Sequence, residues 1–144
     1  MRNDPSLLHH RVLTRAVGVI GLLGVALIHL LDLPSKFHEV PYLGFAYLAL
    51  IVATLVVAAV LVRHDSRRAW TAAVVLAGAT FLGYALSRTT GLPSATDDVG
   101  NWFEPLGLAS LFIEACVVVV SGYALQTPAT SELVAETRTE ARAA

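Results

Sequence analysis

The chain has 144 residues, of which 56% are hydrophobic and 15% charged, with a formal net charge of −1. Such a composition is unusual for a water-soluble domain and ordinary for a bundle of membrane helices, and basic residues placed at the mouths of apolar segments exclude a nucleic-acid-binding stripe. The single cysteine, Cys116, excludes an intrachain disulfide and any CxxC metal or redox motif, and its apolar neighbours make it a packing thiol.

In chain order, residues 1–15 are polar and carry Arg2, Arg11 and Arg15; they are expected to form a cytoplasmic N-terminal segment. An apolar run follows over 16–31. No small-x-small cleavage site succeeds it, only Asp32, Leu33 and Pro34, so it is read as a retained first helix rather than a signal peptide. Three further apolar runs, 42–62, 70–86 and 105–125, each approach the ~20 residues that cross a bilayer. The polar tail 127–144, rich in Ala, Thr, Glu and Arg, has no apolar stripe to bury. The fold class expected is all-α: a polytopic membrane protein whose 16–126 domain holds four transmembrane helices as two tandem helical hairpins, an up-down bundle in the lipid bilayer.

Lys and Arg stay on the cytoplasmic side of short loops. The N-terminal segment and the link with Arg63, Arg67 and Arg68 are rich in them, whereas the first and third links offer only Lys36 and Arg88. Both termini are therefore expected in the cytoplasm, with the first and third links outside. His9, His10 and His64 fall on the cytoplasmic side and are read as solvated.

The two outer links share a pattern. Leu33-Pro34-Ser35, three residues, then Glu39-Val40 is matched by Leu92-Pro93-Ser94, three residues, then Asp98-Val99. A proline-led helix follows each time, at Pro41 and, past an insertion, at Pro105, positions that suit a first helical turn. The match predicts repeated hairpins over about 12–62 and 71–125, with His29 aligned on Arg88.

Helical periodicity puts Gly18, Leu22, Val25, His29 and Asp32 on one face of the first helix, and Gly107, Ser110, Glu114, Val118 and Ser121 on one face of the fourth. Gly44, Tyr47 and Thr54 in the second helix and Thr80, Tyr84 and Ser87 in the third form further inward stripes. Glu114 lies ~15 Å below Glu104 by helix rise, near the bilayer midplane. Intramembrane charge of this kind needs a partner or a task. The set expected to form a polar network or a ligand or ion site is His29, Asp32, Tyr84, Arg88, Glu104 and Glu114. Within it, Arg88 is expected to pair with Asp97, Asp98 or Glu104, and Glu114 to bond Tyr84 or Thr80. A divalent metal ion such as Zn, Mn or Fe is the only cofactor the residues suggest, with His29, Asp32, His38, Glu39, Asp97 and Asp98 as nitrogen and oxygen ligands. No GxSxG elbow, Cys–His pair or phosphate-binding glycine loop is present, so no enzyme is expected.

The residues His29 and Asp32, then His38-Glu39-Val40-Pro41-Tyr42-Leu43-Gly44, then the stretch from Leu86-Ser87-Arg88 through Asp97-Asp98, Gly100-Asn101-Trp102 and Glu104-Pro105 to Glu114 resemble small four-helix integral membrane proteins of high-GC actinobacteria, a group with no assigned activity. The resemblance covers about 12–125 and implies a plasma-membrane location; the Ala, Val and Arg bias agrees with a high-GC genome. The function expected from the residues is an outward-opening polar chamber that binds or passes a small cation or polar solute. The alternative is a non-catalytic accessory or assembly subunit of a larger membrane complex. A homodimer is the other partner expected, through the glycines of the first helix.

The charge count makes a direct prediction about orientation. In intact cells, Ser94→Cys should react with an impermeant thiol reagent and Ser66→Cys should not; the reverse labelling would invert the topology.

Overall fold

The computed structural model describes residues 5–127, with side chains from residue 9 onward. Four helices run in order: α1, Pro5–Glu39; α2, Pro41–Arg63; α3, Arg67–Thr89; and α4, Pro105–Gln126. All four are long and apolar enough to cross a membrane, and no strand occurs among the described residues. The protein is thus an all-α, four-helix, multi-pass membrane protein. Each helix packs on its neighbours in a ring: α1 most extensively on α2, α3 on α4, then α1 on α4, and α2 on α3 most sparingly.

Lipid tails are as apolar as leucine, so burying apolar surface does little to hold such helices together; close packing has to. The inward stripes are accordingly filled by Leu22, Val25, Leu61, Ala73, Ala77 and Val117, all nearly inaccessible, while Leu27, Phe45, Val75, Phe112 and Val119 point outward. Glycines set the closest approaches. A Cβ at Gly18 would come within 2.5 Å of the Trp70 ring, and one at Gly21 within 2.6 Å of Val117. Trp70 also ties the ends of three segments together: its indole Nε1 donates to Asp65 Oδ1 at 2.8 Å, and Asp65 Oδ2 lies 3.2 Å from Arg11.

The links explain where helices stop. Val40 is the only residue between α1 and α2. As the residue before a proline it is steered out of the α region, and it sits at φ −144°, ψ 87°. The 64–66 link is extended at His64 and Ser66. The 90–104 connection is longer and pinned: Gly91, at φ +77°, and Gly100, at φ +81°, supply left-handed turns, and Gly100 N–H donates to the Arg88 carbonyl at 2.9 Å.

Two expectations change here. The first helix outruns its apolar run at both ends, starting at Pro5 and continuing through Pro34 to Glu39. Pro34 cannot donate a backbone hydrogen bond, but the final turn is held by Val40 N–H to Lys36 O at 3.0 Å and by Ser35 and Lys36 side chains donating to Glu39. The two Leu-Pro-Ser motifs consequently differ in conformation. The first is helical, whereas Pro93 and Ser94 form a tight turn closed by reciprocal bonds between Leu92 and Ala95, with Ser94 at φ 58°. The matched spacing therefore does not carry a matched loop structure. Of the expected tail, only Thr127 falls within the described residues; Arg2, in the N-terminal segment, falls outside them.

Candidate functional site

The inward polar stripes converge at the end of the bundle that holds the 39–41 corner and the 90–104 connection. Arg88, in the last turn of α3, is 5% exposed. Its Nη1 pairs with Asp98 Oδ1 at 2.6 Å and its Nη2 with Glu104 Oε2 at 2.5 Å, and the guanidinium stacks 4.7 Å from the centroid of the Tyr84 ring. A planar fork with five donors suits this division between two carboxylates and an aromatic face. Asp98 also approaches Lys36 of α1 at 3.8 Å, so the connection is tied to two helices at once. Two phenols extend the tether: Tyr84 Oη donates to the Trp102 carbonyl at 3.2 Å, and Tyr42 Oη to the Pro93 carbonyl at 2.8 Å.

Beneath this cluster lies a cavity of about 320 Å³, walled by all four helices and by the 90–104 connection. Its wall includes His29, Asp32, Tyr47, Thr80, Tyr84, Arg88, Glu104 and Glu114, set among Ile28, Leu43, Leu50, Leu76 and Leu106. His29 Nδ1 lies 2.9 Å from the Val25 carbonyl, which can only accept, so Nδ1 carries a proton and Nε2 is left for other partners. The imidazole meets the Tyr47 ring edge-on at 4.7 Å, and the Tyr47 phenol interacts with the Asp32 carboxylate. Glu114 is 1% exposed. Its Oε1 accepts from Ser110 Oγ, one turn earlier, at 2.7 Å, while Oε2 has no hydrogen-bond partner.

The structure brings all six network residues, His29, Asp32, Tyr84, Arg88, Glu104 and Glu114, to one cavity. Arg88 is paired with Asp98 and Glu104, as charge and reach dictate; Asp97, its neighbour in sequence, is exposed. The partner of Glu114 differs from expectation. It is Ser110 rather than Tyr84 or Thr80, because an i, i+4 hydroxyl on the same helix is nearer than a neighbouring helix, and Tyr84 is drawn upward to Trp102 while Thr80 donates to the Leu76 carbonyl at 2.6 Å. The six-residue metal set is not assembled. Among the described residues no three His, Cys, Asp or Glu side chains converge on a metal-sized site. His38 and Asp97 are exposed, Glu39 is held by Lys36 and Ser35, and Asp98 by Arg88.

Three participants were not assigned to the network set from the sequence: Lys36, Tyr47 and Ser110. Lys36 was hidden by reading Leu33-Pro34-Ser35 as a loop; once α1 continues, Asp32 and Lys36 stand one turn apart on the cavity side. Tyr47 and Ser110 lay on predicted inward stripes, and their spacing to His29 and Glu114 was the available signal. Comparison of the chain with protein-family models, curated proteins and solved structures returns no match.

The geometry predicts an asymmetric double-mutant result in detergent melting. Arg88→Gln should lose about 1–3 kcal/mol, below the ~3–5 kcal/mol of a fully buried pair because Asp98 and Glu104 are 35% and 38% exposed. Glu104→Gln should lose less, since Asp98 keeps Arg88 paired. Arg88→Gln and Glu114→Gln should add within ~0.5 kcal/mol, and strong coupling between them would contradict the separation of the two groups.

Proposed function

We propose that the protein binds a small cation or polar solute in the cavity at the centre of its bundle, as a plasma-membrane protein with both termini in the cytoplasm and the cavity nearer the outer face. The observation that carries this reading is Glu114: a carboxylate with 1% exposure, one oxygen satisfied by Ser110 and the other bare, on the wall of a cavity of about 320 Å³. Buried polar atoms in folded proteins are almost always partnered, and an orphan on a residue that lines a cavity supports a role for something that enters that cavity. Cavities near this size lie at the low end of the range for small-molecule sites, ~300–1,000 Å³. The orientation rests on the Lys and Arg asymmetry: among the described residues, Arg11, Arg15, Arg63, Arg67 and Arg68 gather at one end, and Lys36 and Arg88 at the other.

A second reading, an accessory or assembly subunit of a larger membrane complex, draws support from the Arg88 cluster itself. That cluster is paired internally and holds the 90–104 connection in place, which a scaffold also requires. The two readings differ in whether solutes reach the cavity.

Gly83 provides the test, because it lies on the cavity wall and a Cβ there meets nothing within 4 Å. In a Cys116→Ser background reconstituted into vesicles, Gly83→Cys should be modified by both cationic aminoethyl methanethiosulfonate and neutral methyl methanethiosulfonate. Leu82→Cys, on the outward face at 63% exposure, should react only with the neutral reagent. A Gly83→Cys inert to both reagents would remove the solute-binding reading and leave the scaffold.

A further inference from the structure

The polar groups of the cavity are not balanced, and the imbalance has a sign. Four carboxylates line it, Asp32, Asp98, Glu104 and Glu114, against two cations, Lys36 and Arg88. Arg88 is shared by Asp98 and Glu104, and Lys36 reaches Glu39 and Asp98. Neither Asp32 nor Glu114 has an ion pair within 4 Å among the described residues, and Oε2 of Glu114 is a buried atom without a hydrogen-bond partner, as are Nε of Arg88 on the same wall and Oγ of Ser121 away from it. An anionic ligand would add to the excess of negative charge in a medium of low dielectric, where like charges repel strongly. Because the Arg88 guanidinium already has two carboxylates, the buried group left without a charge partner is the Glu114 carboxylate, and what it lacks is a hydrogen-bond donor carrying positive charge.

The remainder of the wall selects among cations. A bare divalent ion takes six or more oxygen ligands, or four nitrogen, oxygen or sulfur ligands if it is zinc, and no three candidate ligands converge here. Leucine, isoleucine and alanine instead supply nine of the wall residues, and the edge-on pair of His29 and Tyr47 adds aromatic surface. At ~30 Å³ per water, the space equals roughly ten water-sized groups, enough for an apolar body as well as a charged head. The α2–α3 seam, the sparest in the ring, borders the cavity along Leu43, Tyr47, Leu50, Leu76, Thr80 and Tyr84.

From these features we infer that the cavity takes an amphipathic organic cation, a protonated amine on a compact apolar body, with its ammonium N–H donating to Glu114 Oε2 and its body against the Leu50 and Leu76 wall. This assignment rests on the reading of the cavity as a solute site and narrows it from cations and polar solutes in general to one class. Ser110 is a positioning residue in this scheme: it holds Oε1 and leaves Oε2 for the ligand.

The test is a titration of the detergent-purified full chain with benzylammonium, benzyl alcohol, benzoate, ammonium and sodium, followed by calorimetry or equilibrium dialysis. Hydrogen bonds to charged groups predict that benzylammonium binds at least about tenfold more tightly than benzyl alcohol, with benzoate weaker still. Ammonium and sodium, which leave the apolar wall unfilled, should bind at least about tenfold more weakly than benzylammonium. Glu114→Gln should abolish the preference for the amine over the alcohol, and Gly83→Leu, whose side chain enters open space, should abolish binding of both. Equal affinity for amine and alcohol overturns the inference, as does ammonium or sodium binding as tightly as benzylammonium, or a preference that survives Glu114→Gln. If Glu114→Gln does not fold, unchanged amine binding by Gly83→Leu overturns it. Absence of binding by every probe, in a protein whose Gly83→Cys is labelled, defeats the organic-cation assignment alone; an inert Gly83→Cys defeats the underlying reading as well.

Discussion

A guanidinium buried to 5% exposure within an apolar bundle has to be neutralised, and the way Arg88 is neutralised shapes everything at that end of the protein. Its two carboxylates, Asp98 and Glu104, both come from the 90–104 connection, the second from the N-cap of α4, so the ion pairs draw the connection across the helix ends. The backbone takes part as well, through Gly100 donating to the Arg88 carbonyl. A connection of fifteen residues would otherwise have considerable freedom. Here it becomes a wall of the cavity, with Leu92, Ala95 and Asp98 on its inner side.

Glu114 stands in contrast to Arg88. One buried charge is paired through both terminal nitrogens with carboxylates beyond its own helix, leaving only Nε without a partner; the other has a single partner, from its own helix. The buried apolar core is concentrated toward the opposite end, where Gly18 admits the Trp70 ring and Asp65 links Arg11 to Trp70. Small residues permit close contact at the polar end as well, where Gly44 meets the Phe37 ring and Gly107 the Tyr84 ring. A cavity beside that core is what supports a solute-binding reading.

Much of the fold was legible in the sequence because its strongest signals are one-dimensional. Four apolar runs of membrane length, separated by charged or proline-marked links, determine a four-helix bundle, and 3.6-residue periodicity correctly put Leu22, Val25, His29, Ser110, Glu114 and Ser121 inside. The pairing of Arg88 with nearby acids was legible from reach, since a residue in the last turn of a helix meets the connection that follows it. What escaped was conformational context. Leu-Pro-Ser is equally compatible with a helical last turn and a tight turn, and side-chain bonds from Ser35 and Lys36 to Glu39 decide the first case while Gly91 and Ser94 in left-handed backbone decide the second. The partner of Glu114 was missed for a related reason: a local i, i+4 hydroxyl competes well with any group on another helix, and periodicity alone does not rank them. The proposed metal set failed because spacing in sequence grouped residues that α1 and the 90–104 connection hold apart.

The central claim is that Glu114, with an unpartnered oxygen, lines a space that small molecules can enter. Treatment with dicyclohexylcarbodiimide, an apolar reagent that adds to carboxyl groups, followed by peptide mass spectrometry, addresses it most directly. Modification at Glu114, suppressed by Gly83→Leu, is the result the structure predicts. Modification confined to the more exposed Asp98 and Glu104, with Glu114 untouched, would mean a sealed carboxyl and would contradict the account.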